Sequence, residues 1–467
     1  MRVWNNLIGI AMIAGSLTLG ATRVGAVTTF VIEAADSSST ANVGGANSTA
    51  LDALGNPHVS YFDLTNANLK YARRASGVWT KETADGSSNS VGSDTSIEID
   101  ANGNPHISYY DGTLGDLKYA WKSGGIWNRE VADAPNVVGR FSSLELDALG
   151  NPHVSYFDQT SANLKYAWKS GGAWSTETAD ASANSVGQHC SLALDASGNP
   201  HVTYLDQNNW VLKHAWKSMG IWSIETADSG TYNEVFLGTF TSLAIDASGN
   251  LHVTYRDLAK GLKYARKIGG FWTTELADTA GGGGVGQFSS LALDAQGNPH
   301  VAYESFFDNN VRYARKSGGA WTLQYADSLT NSGQYTAIAV DASGRPHITY
   351  LHVSPLNQLN YAVGSAPTGV SPSIASSGSL EVLPNPIAHG EASIRYEVRP
   401  GTPVDLAVYD LSGRRVSTIA TNAIGSGSNV VSWTGLDAAN RRLAPGVYML
   451  RLVAGDHVES KRVTVVR

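Results

Sequence analysis

The chain has almost no cysteine. Cys190 stands alone in 467 residues, so no intramolecular disulfide can staple the fold and it must be held by its own core. Excess positive charge is also missing. Lys and Arg total 33 against 40 Asp and Glu, a formal net charge of -7, which excludes attraction to nucleic acid or an anionic membrane through bulk charge. Beyond the N-terminus no run approaches the ~18 apolar residues that a membrane-crossing helix requires. There is no Gly-rich phosphate loop, no Gly-x-Ser-x-Gly elbow and no zinc-ligand spacing. The four glycines at 281–284 lie in a loop between repeats rather than between a strand and a helix. No cofactor, no metal and no nucleic-acid partner are expected.

The N-terminus is the one apolar exception. Arg2 supplies a positive start, residues 7–21 are mostly apolar but short for a span, and Val24-Gly25-Ala26 offers small residues for cleavage. Residues 1–26 therefore read as a signal peptide, with an N-terminal anchor as the alternative. After cleavage no transmembrane span is expected, and the location is secreted or outer cell surface.

What the chain has in quantity is glycine, 49 residues, and a repeat. The stretch 143–158, Ser-Leu-Glu-Leu-Asp-Ala-Leu-Gly-Asn-Pro-His-Val-Ser-Tyr-Phe-Asp, recurs with light edits six more times. The Asp before its turn falls at Asp52, Asp100, Asp147, Asp195, Asp246, Asp294 and Asp341, at intervals of 47 to 51 residues. A constant period of this size marks a repeat architecture. In the third copy, residues 143–147 and 153–158 alternate apolar and polar as strands do, around a Gly-Asn-Pro turn. Residues 163–169 and 174–180 form two further strands about a Ser-Gly-Gly turn. Four short antiparallel strands in ~48 residues match one propeller blade.

The fourth-strand Trp occurs only six times for seven repeats, at Trp79, Trp127, Trp174, Trp222, Trp272 and Trp321. The seventh repeat stops after Val363. Its missing strand is at the other end of the chain, where Phe30-Val-Ile-Glu-Ala-Ala-Asp36 aligns with Trp79-Thr-Lys-Glu-Thr-Ala-Asp85. An N-terminal strand there would complete the last blade and remove exposed sheet edges. The expected fold is all-β: a seven-bladed β-propeller over residues 27–364.

A Pro/Ser/Gly-rich linker covers residues 365–379. Residues 380–467 then read as seven strands, at 379–383, 392–398, 404–409, 416–420, 429–433, 446–453 and 458–466, a small immunoglobulin-like β-sandwich. The module carries Pro384-Asn385-Pro386, Val408-Tyr409-Asp410-Leu411-Ser412-Gly413-Arg414, Trp433-Thr434-Gly435-Leu436-Asp437, Leu443-Ala444-Pro445-Gly446-Val447-Tyr448 and Lys461-Arg462-Val463. On these motifs it resembles the FlgD-type immunoglobulin-like domain and, more loosely, the type A sorting domain of the type IX secretion system. The resemblance implies a module at the end of an exported bacterial protein, serving export or attachment. The repeats resemble those of secreted bacterial β-propellers. Their turn at residues 170–174 sits where sialidase-type propellers carry an Asp-box, but it has no Asp.

Several repeated side chains invite a functional reading. His58, His106, His153, His201, His252, His300 and His347 stand one per repeat, too far apart for one metal, and a turn hydrogen bond is expected of them. The turn aspartates, one carboxylate each, suit turn caps better than calcium. The aspartates ending the second strand, Asp63, Asp111, Asp158, Asp206 and Asp257, lie beside aromatics and variable loops. They are the candidate ligand-binding residues, with a strand-end cap as the alternative. Glu98 and Glu145 occupy equivalent inner-strand positions in adjacent repeats. They form the one candidate acid/base pair, without a nucleophile or base motif beside it. Cys190 reads as a small packed residue.

The expectation is an exported, monomeric binding protein, not an enzyme, whose propeller recognises glycans through repeated sites or engages surface proteins. The alternatives are a polysaccharide hydrolase with one site near Glu98, Glu145 or Glu304, and a protein-interaction scaffold.

Overall fold

The computed structural model describes residues 28–37, 42–182, 184–230, 237–280, 282–329, 331–353 and 357–366. In the C-terminal module it describes 380–383, 387, 392–398, 403–410, 414–424, 427–437, 441–454 and 457–466. The expected signal peptide and most of the linker lie outside these residues.

Seven four-stranded antiparallel sheets fill residues 30–364. Blade 1 comprises Val43–Leu51, Pro57–Asp63, Asn68–Ala75 and Val78–Asp85, from innermost to outermost strand. Blades 2 to 6 repeat this over 91–133, 138–180, 186–228, 237–278 and 285–327. Blade 7 takes Ser332–Val340, Pro346–His352 and Gln358–Gly364, and its outermost strand is Phe30–Asp36. Phe30 pairs with Gly364 and Glu33 with Tyr361. Innermost strands touch their neighbours in a closed cycle, Ser332–Val340 meeting Val43–Leu51. The fold is the all-β, seven-bladed propeller expected from the repeat, closed by an N-terminal strand.

The blades are joined by repeated polar contacts inside an apolar core. Each second-strand Tyr is buried and donates to the Asp that ends the preceding blade's fourth strand: Tyr61 to Asp36 at 2.7 Å, Tyr204 to Asp180 at 2.7 Å, Tyr350 to Asp327 at 2.6 Å, and likewise in the other four blades. Each fourth-strand Trp donates Nε1–H to a Glu of the preceding blade, as Trp127 does to Glu82 and Trp222 to Glu177, both at 2.8 Å. The seam differs in a way its sequence explains. The Phe30 ring has no N–H to give, and Gln324 stands where the preceding blade would carry that Glu. Gln324 Oε1 instead accepts the Thr28 backbone N–H at 3.0 Å.

Each inner strand carries two irregularities. In blade 1, Gly45 pairs with Phe62 and Ser48 with Ser60, so Ala46 and Asn47 together oppose Tyr61. Such a bulge re-aims a side chain. The glycine just before it is required: Gly187, at φ 104°, would place a Cβ 2.7 Å from Leu164 Cα of the preceding blade.

Six of the seven histidines share one device with a tyrosine, and in blade 4 His214 replaces that tyrosine, its Nε2 lying 3.1 Å from His201 Nδ1. His58 Nδ1 lies 2.6 Å from Tyr71 Oη, and its Nε2 faces Asp52 at 3.4 Å. Asp52 Oδ1 in turn accepts the N–H groups of Leu54 and Asn56. Burial lowers the pKa of each of these histidines, so they pack as neutral rings.

The C-terminal module is a sandwich. One sheet holds Glu381–Leu383, Ala392–Val398 and Gly427–Trp433; the other holds Arg415–Ile424, Pro403–Tyr409, Gly446–Ala454 and His457–Val465. Trp433, Ile394, Leu406, Leu450 and Val463 are buried between them.

Candidate functional site

The aspartates singled out at the second-strand ends are buried, and each has at least one oxygen engaged within the fold, while Asp257 Oδ2 is buried without a hydrogen-bond partner. Asp63 Oδ1 accepts the N–H groups of Thr65 and Asn66. Asp111 Oδ1 takes those of Thr113 and Leu114, and Asp257 Oδ1 those of Ala259 and Lys260. Asp158 and Asp206 each accept one loop N–H, from Ser161 and Asn209. This is the geometry of a loop cap, and more accessible surfaces occur at other places on the propeller. Two such surfaces stand out, each where the blades differ rather than where they agree.

The first is at the corner between blades, beside the turns that join third and fourth strands. The third-strand residue paired with each His is Arg73, Trp121, Trp168, Trp216, Arg266, Arg315 or Val363. Where it is Arg, the guanidinium turns onto the turn aspartate: Arg73 to Asp52 at 3.1 Å, Arg315 to Asp294 at 3.5 Å, Arg266 to Asp246 at 3.7 Å. Blades 2, 3 and 4 carry Trp instead, and the corner takes a different form. Trp121 stacks on Tyr119, Trp168 on Tyr166 and Trp216 on His214, with interplanar angles of 23°, 22° and 12°. The next blade's lysine lies over each indole: Lys169 at 4.7 Å, Lys217 at 4.8 Å and Lys267 at 4.8 Å from the centroid. These lysines are also ion-paired with Glu130, Glu177 and Glu225. At the third corner a cleft of ≈ 240 Å³ opens between Trp216, His201, Lys267 and the Gly269-Gly270 turn. All three indoles are half-buried.

The second is the central channel, with a cavity of ≈ 290 Å³. The bulge position of each inner strand projects into it: Ala46, Asp94, Phe141, His189, Phe240, Phe288 and Tyr335, all at φ between 43° and 54°. Five of the seven are aromatic and follow one another around the channel, with centroids 4.5 Å apart for Phe141–His189 and 4.7 Å for each of the next three pairs. Asp94 and Ala46 interrupt this collar. Arg140 Nε lies 2.8 Å from Asp94 Oδ2. Burial raises the Asp94 pKa despite that neighbour. His189 is pushed down to about 4, by burial first and then by the Arg140 charge, so it is neutral at neutral pH.

Beyond the collar is a hydroxyl layer. Ser48, Ser96, Ser143, Ser191, Ser242 and Ser290 each accept a backbone N–H of the next blade, from Ile97, Leu144, Leu192, Leu243, Leu291 and Ile338. Cys190 sits between these layers, buried, and its thiol donates to the Phe141 carbonyl at 3.0 Å, the contact that Thr241 makes to His189. Glu98 and Glu145 follow two residues after Ser96 and Ser143, on the same side of their strands. Five alanines hold the equivalent positions in the other blades. Burial pushes both carboxyls up, and the Glu98 charge pushes Glu145 further. Their environments are unequal, Glu145 alone carrying the added repulsion of the Glu98 charge. Among the described residues no three His, Cys, Asp or Glu side chains converge to hold a metal ion.

Sequence reasoning missed both surfaces, although each had a signal. The channel collar follows Gly-x in every inner strand, as in Gly139-Arg140-Phe141 and Gly238-Thr239-Phe240. The corners separate Ala-Trp-Lys from Ala-Arg in the third strand.

Residues 385–457 match the model of the FlgD Ig-like domain. No curated protein sequence matches the chain. Among solved structures it is similar to AofleA from Arthrobotrys oligospora, at 12% identity over 65% of this chain and 90% of that one, with a TM-score of 0.45. A lectin from Aleuria aurantia, solved with Fucalpha1-6GlcNAc, aligns at 12% identity over 61% and 94%, with a TM-score of 0.44. The extracellular domain of a putative hybrid two-component system from B. thetaiotaomicron aligns at 12% over 94% and 57%, with a TM-score of 0.48. No helix among the described residues is long and apolar enough to cross a membrane.

Proposed function

We propose that the chain is an exported, non-catalytic binding protein whose propeller recognises glycans at the three Trp corners of blades 2 to 4, and whose C-terminal module serves export or attachment. The observation that carries the reading is the choice of residue paired with the His. Packing does not demand Trp there, because three blades use Arg and one uses Val. Three consecutive blades nonetheless place a half-buried indole beside a lysine, an imidazole and a glycine turn. An apolar ring with nearby donors suits a sugar, whose C–H groups meet the exposed part of the indole while its hydroxyls meet the polar groups. Three equivalent weak sites on one rigid ring gain through avidity toward a multivalent surface.

The polysaccharide-hydrolase reading lacks a comparable support, since Glu98 and Glu145 are not among the residues that line the channel cavity. A glycan array tests the proposal with the wild-type protein and with Trp121→Ala/Trp168→Ala/Trp216→Ala. The wild type is expected to bind a defined glycan class and the triple variant to lose it, with unchanged near-ultraviolet signatures from the six fourth-strand Trp residues. Retained binding by the triple variant would remove the corners from the account.

A further inference from the structure

We infer that the central channel is a separate binding site, one per molecule, for the terminal ring of a neutral glycan chain entering along the axis. The inference rests on the reading that the ligand is carbohydrate, but it concerns different residues and a different stoichiometry.

Three features of the cavity converge on this class. First, the collar is chosen, not imposed. Every blade holds its bulge residue in the left-handed region, which disfavours bulky side chains. Ala46 shows that a small residue fills the position, yet Phe141, Phe240, Phe288 and Tyr335 carry large rings there. Rings held in sparsely populated backbone conformations point to use rather than packing alone. Half-exposed and facing the channel, they offer a ligand an apolar rim.

Second, the layer below the collar can donate. Each of six serine hydroxyls already accepts a backbone N–H, which leaves its own proton free to turn toward a ligand oxygen. Apolar edge above and hydroxyl donors below match a sugar ring end-on, with C–H groups in the collar and hydroxyls beneath it.

Third, charge and size narrow the choice. Arg140 compensates Asp94 and His189 is neutral, so the collar carries no net charge to attract an ion. A volume of ≈ 290 Å³ is at the low end of ligand pockets, enough for one ring and not for a run of them. The site would therefore read a chain end, whereas the corners read internal or branched residues.

The test uses a panel of methyl glycosides of the common neutral hexoses, fucose and N-acetylglucosamine, titrated calorimetrically into the full chain. The decisive variant is Ala46→Phe. It adds a side chain that blades 3, 5 and 6 already bear at the same backbone position, so the fold is kept while the collar narrows. A second variant, Phe240→Ala/Phe288→Ala, removes the rim instead of filling the hole. Expected is a one-per-chain site for at least one glycoside, weakened at least tenfold by Ala46→Phe and by the double variant, and unchanged in the triple Trp variant. Failure of every glycoside to bind with that stoichiometry, or equal binding by wild type and Ala46→Phe, would overturn the inference. Loss of array binding in the triple Trp variant alongside an inert Ala46→Phe would retain the corners and reject the channel. The reverse pattern would retain the channel and reject the corners.

Discussion

At the scale of single residues, the repeat spends its polar side chains on holding itself together. Tyr204 is fully buried, and its hydroxyl is bonded to a buried Asp180. Tyr204→Phe leaves that carboxylate oxygen without its donor and should cost about 1–3 kcal/mol, read as a lower denaturation midpoint. The histidines make stability depend on pH. Their folded pKa values are lowered by burial, so below about 6.5 the unfolded chain binds protons that the folded chain refuses. Stability then falls with pH in that range. Carboxylates add a second loss at lower pH. Burial alone would raise Glu225, but hydrogen bonds from His214, Lys267 and Trp272 hold it at about 2, and that stability disappears as pH drops from roughly 4 toward 2. Glu98 and Glu145 act in the opposite sense. Their folded pKa values are raised, so they cost stability once pH climbs above the unfolded carboxyl value near 4.3. Glu145→Gln should therefore raise the thermal midpoint at pH 8 and leave it nearly unchanged at pH 4. An equal shift at both pH values would contradict this account of the pair.

At the scale of elements, the N-terminal strand matters most. Phe30–Asp36 supplies the outer edge of blade 7, the Glu33 that receives Trp79 and Arg74, and the Asp36 that receives Tyr61. A chain beginning at residue 38 should lose several degrees of thermal midpoint and aggregate through the exposed edge of Gln358–Gly364. A synthetic peptide spanning residues 28–37 should restore the midpoint, and no effect of truncation would refute the role of the seam. This much was legible in the sequence, because period, turn residues and the displaced Phe30 all repeat at fixed offsets. The blade strands and the C-terminal strands fall where alternation placed them. The site was not legible in the same way. Asp63 and its counterparts stand beside variable loops in the sequence, and only the folded loops reveal the N–H groups that cap one oxygen of each. The collar and the Trp corners are departures from the repeat, and a reading built on what recurs passes over them.

At the scale of the whole molecule, near-symmetry makes the departures informative. A ring held by tyrosine, tryptophan and histidine contacts that recur with few exceptions concentrates its variation where those contacts are not involved. The variation is not scattered. Trp occupies three consecutive corners, and aromatics occupy five consecutive bulge positions from Phe141 to Tyr335. The account therefore makes a statement about number, which calorimetric titration of the intact chain with the best glycan from the array measures directly. It predicts three equivalent corner sites and one distinct axial site. A count of seven equivalent sites, as a ligand held by a strictly repeated feature would give, or no saturable binding at all, would contradict it.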